Sequence, residues 1–164
     1  VTSTLLVVHH SPTRSTRALL DAALSGAGDH AIEGVDVVVR PALEATAEDV
    51  LAADGYLLGT PANFGYMSGA LKHFFDSTFL RVGGALSSSG AADESSGTTK
   101  GRPFGLWVHG RYDTEGAVRS VLTIVGALGW RQSSGVLEVM GDVTEEHLSS
   151  AYELGATVSA LLSA

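Results

Sequence analysis

Short apolar runs, each followed by residues at helical spacing, most restrict what this chain can fold into. Leu5-Leu6-Val7-Val8 is continuous and apolar, as a strand buried on both faces requires. Helical spacing follows at Leu20, Ala23, Leu24 and Ala27. Val35 to Val39 reads as a second strand. Thr46, with Asp49 three residues on, marks the start of a short helix to Ala52. A third strand, Gly55-Tyr56-Leu57-Leu58, closes at Gly59, after which Leu71, Phe74, Phe75 and Thr78 mark one helix face. Phe104 to Val108 is a fourth strand, and Ala117, Val118, Val121, Ile124, Val125 and Leu128 form the cleanest helical stripe in the chain. Trp130 to Val139 holds a fifth strand, with Gly135 as a bulge. Asp142, with Glu145 three residues on, opens a last helix whose inner face is Leu148, Ala151, Tyr152, Gly155, Val158 and Leu162. Alternation of this kind predicts an α/β fold of three layers, a doubly wound parallel sheet with helices on both faces. Right-handed crossovers and five strands suit the order 2-1-3-4-5. One stretch breaks the pattern: residues 83–101, rich in Gly, Ser, Ala and Thr, read as a flexible surface loop.

Composition narrows the classes of function. The 164 residues fit one domain spanning 1–164, and 45% hydrophobic residues allow a packed core. With no cysteine, disulfides, thiolate catalysis and cysteine-ligated metal clusters are excluded, and a reducing, cytoplasmic setting is the expectation. The net charge of −8 argues against a nucleic-acid binder or an anionic-membrane binder. No apolar run approaches the ~20 residues of a membrane span, and Val1-Thr2-Ser3-Thr4-Leu5 lacks the basic start of a signal peptide.

In an open parallel sheet, ligands bind beyond the carboxyl ends of the central strands. Three loops leave those ends. The first, His9-His10-Ser11-Pro12-Thr13-Arg14-Ser15-Thr16, leads into a helix whose N-terminus attracts phosphate. Its hydroxyls at Ser11, Thr13, Ser15 and Thr16, with the charge of Arg14, exceed what a helix cap needs. The second, Gly59-Thr60-Pro61-Ala62-Asn63-Phe64-Gly65-Tyr66-Met67-Ser68-Gly69, joins glycines that allow close backbone approach to Asn63, which can read a ring edge. Phe64 or Tyr66 can cover a ring face. The third is His109-Gly110-Arg111-Tyr112. His109 is the candidate catalytic residue, as proton donor or hydrogen-bonding group, balanced against a strand-end histidine that caps a backbone group. His9 and His10 face opposite sides of a strand, which argues against a metal site there. Lys72 and Asp76 read as a surface ion pair, and Trp107 as core. No G-x-S-x-G elbow, H-E-x-x-H or P-loop signature is present, so a hydrolase is disfavoured.

The run Ala53-Asp54-Gly55-Tyr56-Leu57-Leu58-Gly59-Thr60-Pro61, followed by Asn63-Phe64-Gly65-Tyr66-Met67-Ser68-Gly69-Ala70-Leu71-Lys72 and Phe75-Asp76, resembles the flavodoxin-like NAD(P)H-dependent FMN reductase and quinone reductase group. The resemblance covers nearly the whole chain and is strongest from Asp54 to Asp76. It implies a flavodoxin-like fold that transfers electrons from NADH or NADPH through bound FMN to a quinone, flavin or similar small-molecule acceptor. It implies a ribityl phosphate held by Ser11, Thr13, Arg14, Ser15 and Thr16, and an isoalloxazine edge held by Pro61, Ala62, Asn63, Phe64 and Gly65. His109, Gly110, Arg111 and Tyr112 would close the other side of the ring, and a homodimer or homotetramer is the expected assembly. The chain departs from the group where Arg14-Ser15 replaces a Gly-Asn pair, and where one glycine, Gly110, stands in place of paired glycines. Two other readings stand beside the reductase: a non-enzymatic flavodoxin carrier, and a flavodoxin-like interaction domain without FMN.

Overall fold

The computed structural model describes residues 1–83, 85–93 and 97–163. Its elements, in chain order, are β1 (Ser3–His9), α1 (Arg14–Ala27), β2 (Val35–Pro41), α2 (Ala47–Ala52), β3 (Gly55–Asn63), β4 (Tyr66–Met67), α3 (Gly69–Thr78), β5 (Ala85–Leu86), β6 (Ala92–Asp93), β7 (Pro103–Gly110), α4 (Glu115–Ala127), β8 (Arg131–Gln132), β9 (Leu137–Met140) and α5 (Glu145–Leu162). The main sheet runs β2-β1-β3-β7, and β8 and β9 share the outermost place, both parallel to β7. This is the anticipated 2-1-3-4-5 order with small additions. β4 folds back antiparallel on β3, and β5 and β6 form a separate hairpin.

The apolar runs become strands because both sheet faces are covered. Leu5 and Val7 point into one core with Leu19, Ala23, Ala151 and Val158 of α1 and α5. Leu6 and Val8 point into the other, with Val50 of α2, Leu71 and Phe74 of α3, and Val121 and Val125 of α4. The α1–α5 contact is close because glycine stands on each helix. A Cβ at Gly26 would lie 1.9 Å from the Tyr152 carbonyl oxygen, and one at Gly155 would lie 2.0 Å from that of Ala23. Trp107 is core, as expected, and its indole crosses Gly59, where a Cβ would fall 2.0 Å from the ring.

Three local expectations are corrected. The fifth strand is two strands, not one bulged strand. Ser133 binds the Phe104 carbonyl through both its backbone N–H (2.9 Å) and its hydroxyl (2.8 Å), and the chain leaves the sheet until Leu137. The last helix opens at Thr144 rather than Asp142, because Thr144 and His147 form the reciprocal cap. Tyr152 is exposed rather than inward, and its hydroxyl donates to Asp29. Within 83–101, the β5–β6 hairpin and a buried Thr99, which accepts a hydrogen bond from Trp130 Nε1 at 2.8 Å, give the described residues more order than composition suggests. The mobility expected of that stretch falls partly on residues outside those described. Among the described residues no helix is long and apolar enough to cross a membrane.

Candidate functional site

The carboxyl ends of β1, β3, β7 and β9 lie at one edge of the sheet, so the site is built from the loops that leave them. The loop after β1 is pinned at its root. His9 O accepts from Ala42 N at 2.7 Å, and His10 N donates to Gly59 O at 3.0 Å. Beyond it, the hydroxyls turn inward. Thr13 caps α1: its Oγ1 accepts from Thr16 N, while Thr13 N donates to Thr16 Oγ1 at 3.0 Å. Thr16 is buried. Ser11 Oγ lies 2.9 Å from His9 Nδ1. Among the described residues, the Arg14 and Ser15 N–H groups and the Ser15 hydroxyl have no recorded protein partner, and α1 has no acidic residue in its first turn. Those groups and the helix dipole suit an anion. Arg14 is exposed and borders a cleft of about 280 Å3 with Ser15, Ala18, Asp142, Val143 and Leu148.

The loop after β3 is more extended than its sequence suggested. β3 continues through Pro61 to Asn63, and Tyr66–Met67 returns antiparallel, with Asn63 opposite Tyr66. The two residues between them both have positive φ, 51° at Phe64 and 79° at Gly65. That pair makes the turn whose twist matches a right-handed hairpin. Glycine tolerates it; phenylalanine there is costly. The hairpin is held from below and beside. Thr60 Oγ1 accepts from Ser68 N at 3.0 Å and donates to Pro61 O at 2.8 Å. A Cβ at Gly116 would lie 2.3 Å from Gly65 O, so the turn sits directly on the start of α4.

The loop after β7 supplies the other wall. Asp113, just before the N-cap Thr114, leads into α4, its Oδ1 accepting from Glu115 N at 2.9 Å. Arg111 Nη2 donates to Asp142 Oδ1 at 3.0 Å, tying this loop to the one after β9. His109 Nε2 donates to Gly141 O at 2.7 Å, and Gly141 N donates to Gly110 O at 2.8 Å. His109 thus carries a proton on Nε2 and fastens the loop after β9. Ala62, Phe64, Gly65, Arg111, Tyr112 and Asp113 enclose a cleft of about 280 Å3. Phe64 at 109% and Tyr112 at 88% exposure are the aromatic walls of that cleft. A planar ring with an attached phosphate matches this combination of aromatic slot and helix N-terminus on adjacent strands.

All the sequence-selected residues lie at this edge. Pro61 and Gly110 are buried; Asn63, Arg111 and Tyr112 are exposed. Sequence reasoning missed the fourth loop, with Asp142, and it missed Asp113 and Thr60. An aspartate two residues before Glu115 was a legible turn signal; Asp142 reads as a helix start, and its bond to Arg111 carries no local mark. A larger trough of about 550 Å3 along α4 is lined by Glu115, Val118, Arg119, Leu122, Thr123 and Glu138. It is open, runs along α4 from its first residue and shares no lining residue with the aromatic slot, so the strand-end clefts carry the argument.

The model of the NADPH-dependent FMN reductase family matches residues 4–139. A curated flavodoxin of Aquifex aeolicus (strain VF5) is 32% identical over 126 residues, covering 77% of this chain and 62% of that protein. The chain thus spans less than two thirds of that relative. Among solved structures, a flavodoxin from the domain Archaea superposes with TM-score 0.76 at 17% identity, covering 97% of this chain and 98% of that one. A WrbA-like protein of Agrobacterium tumefaciens gives TM-score 0.71 at 16% identity, with 99% and 98% covered. These last two likenesses are of fold.

Proposed function

The chain belongs to the NADPH-dependent FMN reductase family, and from that membership we propose that it binds FMN at the strand-end clefts and reduces a small acceptor at the expense of NADH or NADPH. The observation that carries this reading is the slot between Phe64 and Tyr112, one strand away from the start of α1. Two large aromatic side chains left in water at the tips of separate loops are a poor surface and a good ring site. Bound FMN would supply the redox chemistry, accepting a hydride from the nicotinamide and passing electrons to a quinone, flavin or similar acceptor.

The protein's own groups bind and orient. The backbone N–H groups of Arg14 and Ser15, the Ser15 hydroxyl and Ser11 receive the phosphate, while Thr13 and Thr16 shape the turn that presents them. Arg14 adds positive charge beside it. Pro61, Ala62, Asn63, Phe64 and Gly65 hold one edge of the ring, and Gly110, Arg111 and Tyr112 close the other. His109 acts as a positioning residue, locking Gly141 and with it Asp142 against Arg111. The expected assembly is a homodimer or homotetramer, which light scattering reports.

The absorption spectrum of the purified protein, before and after adding FMN, tests the binding step. A colourless protein with no shift on FMN addition overturns it. Steady-state oxidation of NADPH or NADH with a quinone tests the reductase step. The curated relative's name, flavodoxin, and the net charge of −8 favour a carrier as second reading. FMN bound tightly without NAD(P)H turnover would establish the carrier in place of the enzyme.

A further inference from the structure

The one polar side chain in the first loop whose partner is an ionisable ring is Ser11, 2.9 Å from His9 Nδ1. His9 ends β1, opposite Pro41 of β2 and Gly59 of β3, and backbone hydrogen bonds from Ala42 and to Gly59 fix its neighbourhood. A hydroxyl has one proton. When the ring nitrogen accepts that proton, Ser11 turns only lone pairs outward and repels an anion. When Nδ1 carries a proton and donates to Oγ, the Ser11 proton is free to point at the anion. The state of one imidazole therefore decides whether this hydroxyl attracts or repels phosphate.

We propose that His9 is a positioning residue for the FMN phosphate: protonated His9 donates from Nδ1 to Ser11, and Ser11 donates onward to the phosphate. The proposal rests on the reading that FMN binds with its phosphate at the start of α1. Burial, and secondarily the neighbouring His10, holds His9 below the ordinary histidine range without ligand. A dianion one hydroxyl away favours the imidazolium and raises that value. FMN binding thus takes up a proton at pH values between the two. The contribution of His9 to affinity is flat below the unliganded value, falls as pH rises through the window, and is flat again above the liganded value.

The other ionisable groups on the flanking elements are His10 just after β1, Arg40 on β2 with its partner Asp49, Arg14, Arg17 and Asp21 on α1, and Asp142, Glu145, Glu146 and His147 at the start of α5, while Asp36 of β2 lies opposite Thr4 at the far end of β1. β3 presents Gly59 and Thr60 there, which do not titrate. Of these, His10 and His147 are the other imidazoles. The second ionisation of the phosphate itself, near pH ~6, acts in the opposite direction and is common to all variants.

Flavin fluorescence quenching measures FMN and riboflavin affinity between about pH 5 and about pH 8 for the parent, His9→Asn, His9→Leu and His10→Asn. Asparagine places an N–H near the position of Nδ1 but does not titrate. Relative to the parent, His9→Asn should lose the fall in FMN affinity with rising pH that His9 contributes, leave only the rise set by the phosphate, and retain affinity at the alkaline end. His9→Leu should lose about tenfold in FMN affinity at neutral pH, the size of a hydrogen bond to a charged group. His10→Asn should keep the parent's slope. Riboflavin, without a phosphate, should bind all four alike. Nitrogen-detected NMR of the imidazole should show His9 gaining a proton as FMN is added. Parallel FMN profiles for the parent and His9→Asn, or equal losses for both flavins in His9→Leu, would overturn the role of His9. A parent that binds riboflavin and FMN equally would overturn the phosphate placement, and a parent that binds neither would overturn FMN binding altogether.

Discussion

The loop after β1 and the hairpin after β3 leave neighbouring strands, and they are stabilised in opposite ways. In the first, the side chains that shape the turn find partners within the loop: Thr13 and Thr16 satisfy each other, and Ser11 meets His9. It is a good helix start whether or not a ligand arrives. In the second, Phe64 is held in the left-handed region with its ring in water. Local energetics disfavour that arrangement, so the surrounding structure must impose it, and Gly116, Asp113, Thr60 and Ser68 do so. One region can reorganise to accept a phosphate, whereas the other is already shaped for a ring. Phosphate and ring contributions should therefore separate cleanly when FMN and riboflavin are compared.

The largest effect is expected where the hairpin is forced open. Gly65 has φ 79°, and a Cβ there would lie 2.8 Å from an Asp113 carboxylate oxygen. Gly65→Val places a β-branched side chain in the left-handed region, at a cost of about 2–3 kcal/mol. The hairpin should shift off the start of α4, and flavin affinity should fall roughly a hundredfold. FMN and riboflavin should lose equally, since the change touches only the ring cleft. A loss confined to FMN in a titration series would mean that the two regions are not separable as described.

Arg14→Ala probes the other side and should give the converse. The guanidinium is exposed at the head of α1, where a cation opposes the helix dipole unless an anion is present. Contact with the phosphate predicts a loss for FMN of roughly 1.5–3 kcal/mol, with riboflavin unaffected. Calorimetric titration of both flavins decides it. Equal losses, or none, would leave Arg14 serving only the cleft it shares with Asp142 and Val143.

What the sequence disclosed follows the same division. Strands buried on both faces are written as continuous apolar runs, so β1, β3 and β7 and their order were legible, and so was the cap of α2 at Thr46 with Asp49. The strand-end loops were legible as sites because their residue types exceed what turns need. How the residues are used was not. Thr13 and Thr16 look like free hydroxyls until their mutual bonds are seen. Phe64 looks like an ordinary aromatic until its φ is known. Asp142 enters through Arg111, 31 residues away, and His109 through Gly141, 32 residues away. Such pairings depend on how strands stack, and no local spacing records them. The break at Ser133 was hidden for the same reason, because its partner is a carbonyl on β7.

The smallest effect is the one that opposes stability to function within a single side chain. If Phe64 is kept for its ring and tolerated for its backbone, replacing it should improve the fold while weakening the site. Asparagine is the suitable replacement. It accepts positive φ far better than phenylalanine, and Asn-Gly is the preferred pair for this turn. It also avoids the added chain entropy that glycine would bring to the unfolded state. Phe64→Asn should therefore stabilise the protein by about 0.5–1 kcal/mol, a rise in Tm of roughly 2–4 °C for each kcal/mol in a chain of this size. It removes an exposed ring that stacks on no other aromatic among the described residues, so little packing is lost. The same change should weaken FMN and riboflavin equally by about 0.5–1.5 kcal/mol, the worth of an aromatic contact beyond its buried area. Thermal unfolding without ligand and flavin titration read the two halves independently. A lower Tm would show that the ring supports the hairpin and that its backbone is not under strain. A higher Tm with unchanged flavin affinity would move the ring site away from Phe64 and leave Tyr112 as its one aromatic wall.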